Sequence, residues 1–273
     1  MKIYSFILFI ALTSSYIAKA QSLQQIWKSE EKLHVPESVL FDSGSKTLFV
    51  SLIDGEAGKK DGKGGIALLN LDGSLKNANW ISGLNAPKGM ALDKNILYVA
   101  DIDKVLEIDI RKAKVIASTP IPDAVFLNDL TIDDNGNLYV SDTRTNKIHY
   151  ISKGKSSIYL ENVTAANGIK YAGKELYVLA DTELIKFNSK KEKVIITTGL
   201  EKSGDGLELL QNGDFIVSCW AGIIYYVKQN GEKTKILDVI GTMNTADIGY
   251  NKVGNIIYVP TFNANSVIAY KLH

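Results

Sequence analysis

Six polar residues punctuate this chain at roughly even steps: Glu37, Lys88, Asn128, Asn167, Asp205 and Asp247. Each opens a short, nearly apolar stretch, usually through a glycine or another small residue. Five of the six carry side-chain oxygen and none is a soft ligand. Gathered around one axis, carboxylate and amide oxygens without Cys or His suit a hard divalent cation. Ca²⁺ fits best, since a wide and flexible oxygen ring is less favourable for Mg²⁺ or Mn²⁺. Converging carboxylates also require a counter-charge, because burying them unpaired is costly. Lys88 alone does not balance Glu37, Asp205 and Asp247. Asn-Gly, Asp-Gly and Pro-x-Gly also form turns, but turn chemistry does not require oxygen at the same place in successive copies.

The elements that must position these residues are repeats. The copies read PESVLFDSGSKTLFVSLI, PKGMALDKNILYVADI, NDLTIDDNGNLYVSDT, NGIKYAGKELYVLAD, DGLELLQNGDFIVSCW and DIGYNKVGNIIYVPTF. Their second strands begin at Leu48, Leu97, Leu138, Leu176, Phe215 and Ile257, at intervals of 49, 41, 38, 39 and 42 residues. Within residues 165–200 the pattern leaves room for four short strands separated by turn residues. Four strands at a period near 40 predict an all-β, six-bladed β-propeller with four-stranded blades. The first strand of every blade then lines the central channel, where the six polar residues meet. Residues 23–33 precede the first copy and are expected to add a strand to the last blade, protecting its edge. The long first interval comes from DGEAGKKDGKGG at 54–65. It lacks the spacing and following helix of a phosphate loop and reads as a solvent-exposed loop, with a lid over the channel mouth as the alternative.

Residues 1–20 carry a basic Lys2, an apolar run and Ala18-Lys19-Ala20, which together predict a signal peptide cleaved after Ala20. One domain is expected over 21–273, periplasmic or secreted, without a membrane anchor and monomeric. The whole chain has 31 basic and 30 acidic residues; without Lys2 and Lys19 the balance is 29 to 30, a net charge of −1. Such a near-neutral chain without basic clusters argues against nucleic acid as a partner. Cys219 is the only cysteine, so no intramolecular disulfide forms, and stability must come from the core.

PES at 36–38, LND at 127–129, ANG at 166–168 and GDGLELLQNGDFIVSCW at 204–220 resemble, in order and blade spacing, the senescence marker protein/gluconolactonase/luciferin-regenerating enzyme-like propellers. The resemblance spans essentially residues 21–273. It implies one channel cation held by Glu37, Asn167 and Asp205. Asn128 would contact the substrate beside the metal, or bind it directly as in the related diisopropyl-fluorophosphatase-like enzymes. The implied reaction is metal-assisted hydrolysis of a lactone or other ester, with phosphotriesters as a promiscuous option. Asp205 is the first choice for the proton-accepting carboxylate and Asp129 the second.

Two departures stand out. The arginine that lactonases of this type place shortly before the ND asparagine is replaced here by Val125-Phe126-Leu127; Lys88 is the candidate substitute as a substrate contact. His34, His149 and His273 are the only histidines and none opens a blade. Asp101, Asp142 and Asp181 read as turn formers, and Cys219 reads as a small buried hydrophobe. Trp220 is a candidate for the channel mouth, and the sequon at 162–164 matters only in a eukaryotic secretory pathway. The competing functional expectation is a non-catalytic propeller that binds a small ligand or a protein partner, its metal structural or missing.

Overall fold

Period-2 alternation along short Val-, Ile- and Tyr-rich segments, broken by Gly, Asn and Asp turns, gives strands; those nearer the axis bury one or both faces, whereas outermost strands such as Leu23–Lys28, Lys155–Leu160 and Lys233–Asp238 are largely exposed. The computed structural model describes residues 21–273; the leader expected over 1–20 lies outside the described residues. Twenty-four strands form six separate four-stranded antiparallel sheets, with one three-residue 3₁₀ turn at Phe262–Ala264. This is a six-bladed β-propeller. Second strands start at Thr47, Ile96, Leu138, Glu175, Phe215 and Ile256, each within one residue of the position expected from the repeats. No helix among the described residues is long and apolar enough to cross a membrane.

Five blades are consecutive in sequence. The sixth is composite, ordered Leu23–Lys28, Val267–Leu272, Ile256–Pro260 and Gly249–Asn251 from rim to axis. The N-terminal segment therefore closes the ring, covering an edge that would otherwise be open to pairing. Trp27 fastens it: its indole N–H donates to the Leu71 carbonyl at 2.8 Å, and its ring lies 5.9 Å from that of Tyr258. A second closure lies at the axis, where Ser38 and Asp247 form a parallel bridge between the first and last blades. Apolar side chains fill the spaces between neighbouring blades; Leu48, Val50 and Ala67 of the first pack with Tyr258, Val267 and Ala269 of the last.

Replacing Trp27 by alanine is expected to cost about 2–4 kcal/mol and to lower the thermal midpoint by roughly 5–10 °C, read by circular dichroism. Deleting 21–28 is expected to expose the Val267–Leu272 edge and produce concentration-dependent association in sedimentation velocity.

Candidate functional site

The innermost strands begin at Pro36, Pro87, Leu127, Ala166 and Gly204, and each has a register break within its first residues. In every case the inner strand holds one more residue than its partner, which defines a β-bulge. The residues at these bulges are Glu37, Lys88, Asn128, Asn167 and Asp205. A bulge re-aims a side chain that regular pleating would commit to a sheet face, and here it turns five polar groups toward the axis. Asp247 occupies the matching place ahead of the short inner strand of the last blade.

The local sequence supports each bulge. A serine one residue after the recurring valine of the second strand takes up the freed amide in three blades. Ser51, Ser141 and Ser218 hydroxyls accept from the N–H groups of Ser38, Asp129 and Gly206 at 2.9, 2.9 and 2.7 Å. The glycines of NG and DG are not turns. A Cβ on Gly168 would lie 2.1 Å from the Asp205 carbonyl oxygen, and one on Gly206 would lie 2.4 Å from the Ile248 nitrogen. Glycine is needed there because the next blade's backbone approaches at the axis. Asp101 and Asp142 also do more than form turns. Asp101 accepts the N–H groups of Asn85 and Ala86, and Asp142 those of Val125 and Phe126, so each carboxylate fixes the loop that delivers Lys88 or Asn128. Burial pushes Asp142 up, but the His149 ring 3.7 Å away and hydrogen bonds from those two amides outweigh it and hold the carboxyl at about 2. Asp181 differs: it has φ 53° and receives Gly204 N–H through its backbone carbonyl.

Glu37, Lys88, Asn128, Asn167 and Asp205 line one cavity of about 400 Å³. Its walls are largely apolar, with Ile53, Ala57, Phe126, Ala165, Trp220 and Phe262 above the polar floor. On the floor, Asn167 Nδ2 donates to Asp205 Oδ1 at 3.0 Å. Asn128 Nδ2 donates to Thr143 Oγ1 at 3.1 Å, and that hydroxyl donates in turn to the Ala166 carbonyl at 2.7 Å. Glu37 Oε2 and Asn167 Oδ1 are buried without any hydrogen-bond partner among the described residues. Native proteins rarely leave such oxygens unmatched.

Lys88 is 1% exposed, and its ammonium donates to the carbonyls of Ala86 at 3.0 Å and Ala57 at 2.9 Å, 4.3 Å from the centre of the Phe126 ring. It forms no ion pair with Glu37 within 4.0 Å. Ala57 belongs to the 54–65 loop, which is largely solvent-exposed as expected but is tethered to the cavity wall at this point. Ala57 packs near Ile53, Ala86 and Phe262, while Lys60 pairs with Asp103 on the next blade. The loop lies as a strap across the cavity wall. Arg144, exposed at the rim, stacks on Phe126 at 4.2 Å; it reaches the mouth from the end of a second strand, although no arginine precedes the ND motif.

Asp129 and Asp247 do not line the cavity. Asp129 Oδ2 accepts Ile169 N–H of the next blade at 2.8 Å and Oδ1 accepts Leu130 N–H at 2.7 Å. Asp247 Oδ2 accepts the Ser38 hydroxyl at 2.5 Å. Farther along the inner strands, Lys170 pairs with Glu208 at 3.0 Å. Five carboxylates (Glu37, Asp129, Asp205, Glu208, Asp247) thus share the channel with two ammonium groups.

The electrostatic result is a strong bias toward protonation. Burial, with added repulsion from Asp205 and Asp129, raises Glu37 well above the usual carboxylate range despite Lys88. Burial, reinforced by Asp129 and Glu37, does the same to Asp247. Asp205 is pushed up to about 7 and Asp129 to about 6, burial being the main cause in both. Lys170 moves up, since Glu208, Asp129 and Asp247 outweigh its burial. Cys219 lies beside this field, fully buried and pushed up to about 12 by burial first and Asp205 second, which leaves it inert as a nucleophile.

No cluster of three or more His, Cys, Asp or Glu side chains forms a metal site among the described residues; the two floor carboxylates are completed by amides instead. The donor set nonetheless fits a hard cation, because the unmatched floor atoms are all oxygens. His34 is exposed and lines a separate cleft, His149 is buried near Asp142, and His273 contacts Gln24 at the exposed terminus. Serines 51, 141 and 218 and Thr143 are the supporting residues that motif reading overlooked. The repeated Val-Ser pair was their available signal.

The fold is shared with known enzymes. A gluconolactonase from Xanthomonas campestris superposes with a TM-score of 0.72 at 12% identity, covering 89% of this chain and 88% of that one. A streptogramin B lyase gives 0.66 at 12% identity over 93% of this chain and 98% of that one. A catalytically inactive His-to-Ala variant of virginiamycin B lyase from Staphylococcus aureus, solved with quinupristin, gives 0.63 at 13% identity over 93% and 100%. The gluconolactonase-like propeller expected from the motifs is thus the architecture found. No family model matches the sequence, and no curated protein matches it.

Without metal, the sign of the pH dependence follows from the raised carboxyl groups. Their protonated forms stabilise the fold at low pH, and this stabilisation is lost as pH rises through about 7 for Asp205. In chelator, the thermal midpoint is expected to fall by roughly 5 °C or more between pH 5 and pH 8. Asp205→Asn should flatten that fall; an equally steep decline in the variant would contradict the assignment.

Proposed function

We propose that this chain is a hydrolase of the gluconolactonase type, dependent on a divalent cation, most simply Ca²⁺, and acting on a lactone or other ester. The supporting observation is the state of the cavity floor. The amide N–H groups of Asn128 and Asn167 that form bonds there are already donated, and Lys88 gives protons to two backbone carbonyls. The floor atoms left with no partner at all among the described residues are both oxygens, Glu37 Oε2 and Asn167 Oδ1. Such a floor offers little to an ester carbonyl unless a cation stands between them.

Glu37, Asn167 and Asp205 would hold the cation, with Asn128 beside it as a further ligand or a substrate contact. When bound, the cation supplies Lewis-acid polarisation of the carbonyl and stabilises developing negative charge. The chain's own groups do the rest. Thr143 fixes the Asn128 amide by accepting one of its N–H groups, which orients the amide oxygen. Asn167 orients Asp205 through Oδ1, leaving Oδ2 as the site for a proton taken from an attacking water. Asp129 is the weaker candidate for that role, because both its oxygens accept backbone N–H groups and it stands off the cavity wall. The walls exclude bulk water from the reacting end. The leader expected at residues 1–20 would place this reaction in the periplasm or outside the cell, with the chain acting as a monomer on a small molecule.

The lyase likeness carries less weight. The virginiamycin B lyase variant in the comparison is inactive after losing one histidine, and no histidine lines the cavity here among the described residues. A ligand-binding propeller without turnover is the second reading, favoured by Lys88 being engaged in holding the strap rather than free for a substrate.

Asp205→Asn is expected to lower kcat/KM on lactones and aryl esters by about 10²-fold or more and to weaken Ca²⁺ binding in calorimetry. Ca²⁺ binding should tighten as pH rises from 6 to 8, because the raised carboxyls must lose protons first. Tight Ca²⁺ binding with no turnover on any ester or lactone would favour the binding module instead.

A further inference from the structure

We infer that the substrate's non-reacting part is apolar, an alkyl- or aryl-substituted lactone or ester rather than a polyhydroxylated sugar lactone. This rests on the hydrolase reading above and deepens it. The walls above the floor present Ile53, Ala57, Phe126, Ala165, Trp220 and Phe262. Polar groups on those walls are largely spent. Thr143 both accepts from Asn128 and donates to Ala166, and Lys88 is directed at Ala57 and Ala86. Ser203 is the one wall hydroxyl with no hydrogen-bond partner among the described residues. A sugar lactone carries several hydroxyls, and one serine on the walls, with the Arg144 guanidinium confined to the rim over Phe126, cannot match them all, so most would be buried without partners.

The aromatic pair at the mouth points the same way. Trp220 is 41% exposed and stands edge-on to Phe262 with ring centres 5.5 Å apart. Trp220 follows the inner-blade pair that carries Asp205, and Phe262 comes from the last blade, so the two rings flank the cavity from adjacent blades. Large exposed aromatic surface beside a concave site gains most from an apolar ligand. The strap contributes Ala57 to the same wall, so it adds apolar surface and no side-chain donor at that point. The volume of about 400 Å³ leaves room for a ring and a short tail above the polar floor.

The test is a tail-length series. Hydrolysis of δ-valerolactone, δ-octalactone and δ-decalactone is compared with glucono-δ-lactone, using the full chain saturated with Ca²⁺. Each buried methylene is worth up to about four-fold in binding, so kcat/KM should climb steadily with tail length. δ-Decalactone should exceed glucono-δ-lactone by about 10²-fold or more. Trp220→Ala and Phe262→Ala should shrink the ratio between δ-decalactone and δ-valerolactone. A flat series, or preference for glucono-δ-lactone, overturns the inference. Binding keeps it testable if nothing turns over: calorimetry with the matching alkyl δ-lactams and a polyhydroxylated lactam measures the same walls. Tail-dependent lactam affinity without hydrolysis would sustain the apolar site while removing the hydrolase reading. No tail dependence in either measurement would remove the apolar site.

Discussion

Charge repulsion among buried carboxylates is the constraint around which this propeller is organised. Ring closure brings six inner strands to one axis, and bulges turn polar side chains inward. Five carboxylates then face two ammonium groups in surroundings where each unpaired charge is expensive. The fold settles part of this with hydrogen bonds. Asp129 takes two backbone amides and ties the third blade to the fourth; Asp247 takes the Ser38 hydroxyl and ties the last blade to the first. Glu208 has Lys170. Glu37 and Asn167 keep buried oxygens with no partner. The unsettled part of the channel coincides with the floor of the cavity.

Stability and site geometry therefore use the same residues. The serine after valine in the second strand satisfies an amide that the bulge sets free, and without it the aimed side chain would carry a buried unpaired N–H behind it. The second-strand aspartates act one step earlier, pinning the loops that lead into Lys88 and Asn128. The glycines at the axis let neighbouring blades approach closely enough for an amide on one to meet a carboxylate on the next, as Asn167 meets Asp205. Each device would be ordinary alone. Repeated around a ring, they leave the axial side chains little freedom, which is what preorganisation of a site requires.

The repeats made the architecture legible. Blade number, strand count and the starts of the second strands follow from a period near 40, and the extra strand of the last blade followed from the spare segment before the first copy. The five cavity residues from Glu37 to Asp205 were legible because each opens an equivalent strand. Other features were not. A glycine after Asn or Asp looks the same in a turn and at a close approach between blades, since only three-dimensional proximity separates them. Asp129 is adjacent to Asn128 in sequence, yet the bulge sends the two side chains to different partners. The strap at 54–65 has the composition of a solvated loop; its placement depends on the buried Lys88 ammonium, which holds the Ala57 carbonyl, and on Asp103, which pairs with Lys60. Arg144 lies at the cavity rim through blade geometry that linear spacing does not express.

Lys88 shows why the channel remains short of positive charge. An ammonium at the second blade's entrance has the reach and sign to pair with Glu37, and such a pair would have matched the orphaned oxygen directly. The ammonium is instead drawn to the carbonyls of Ala57 and Ala86 and to the face of Phe126. It lowers the cost of Glu37's charge through space without occupying its lone pairs. Burial accordingly lowers the pKa of Lys88 itself, with Glu37 and Asp101 opposing that shift and Arg144 adding to it. A direct ion pair would match the Glu37 oxygen and close the floor; the observed arrangement holds the strap and leaves carboxylate and amide oxygens facing the cavity. Local stability is given up where a ligand would restore it, a pattern that fits the proposed site.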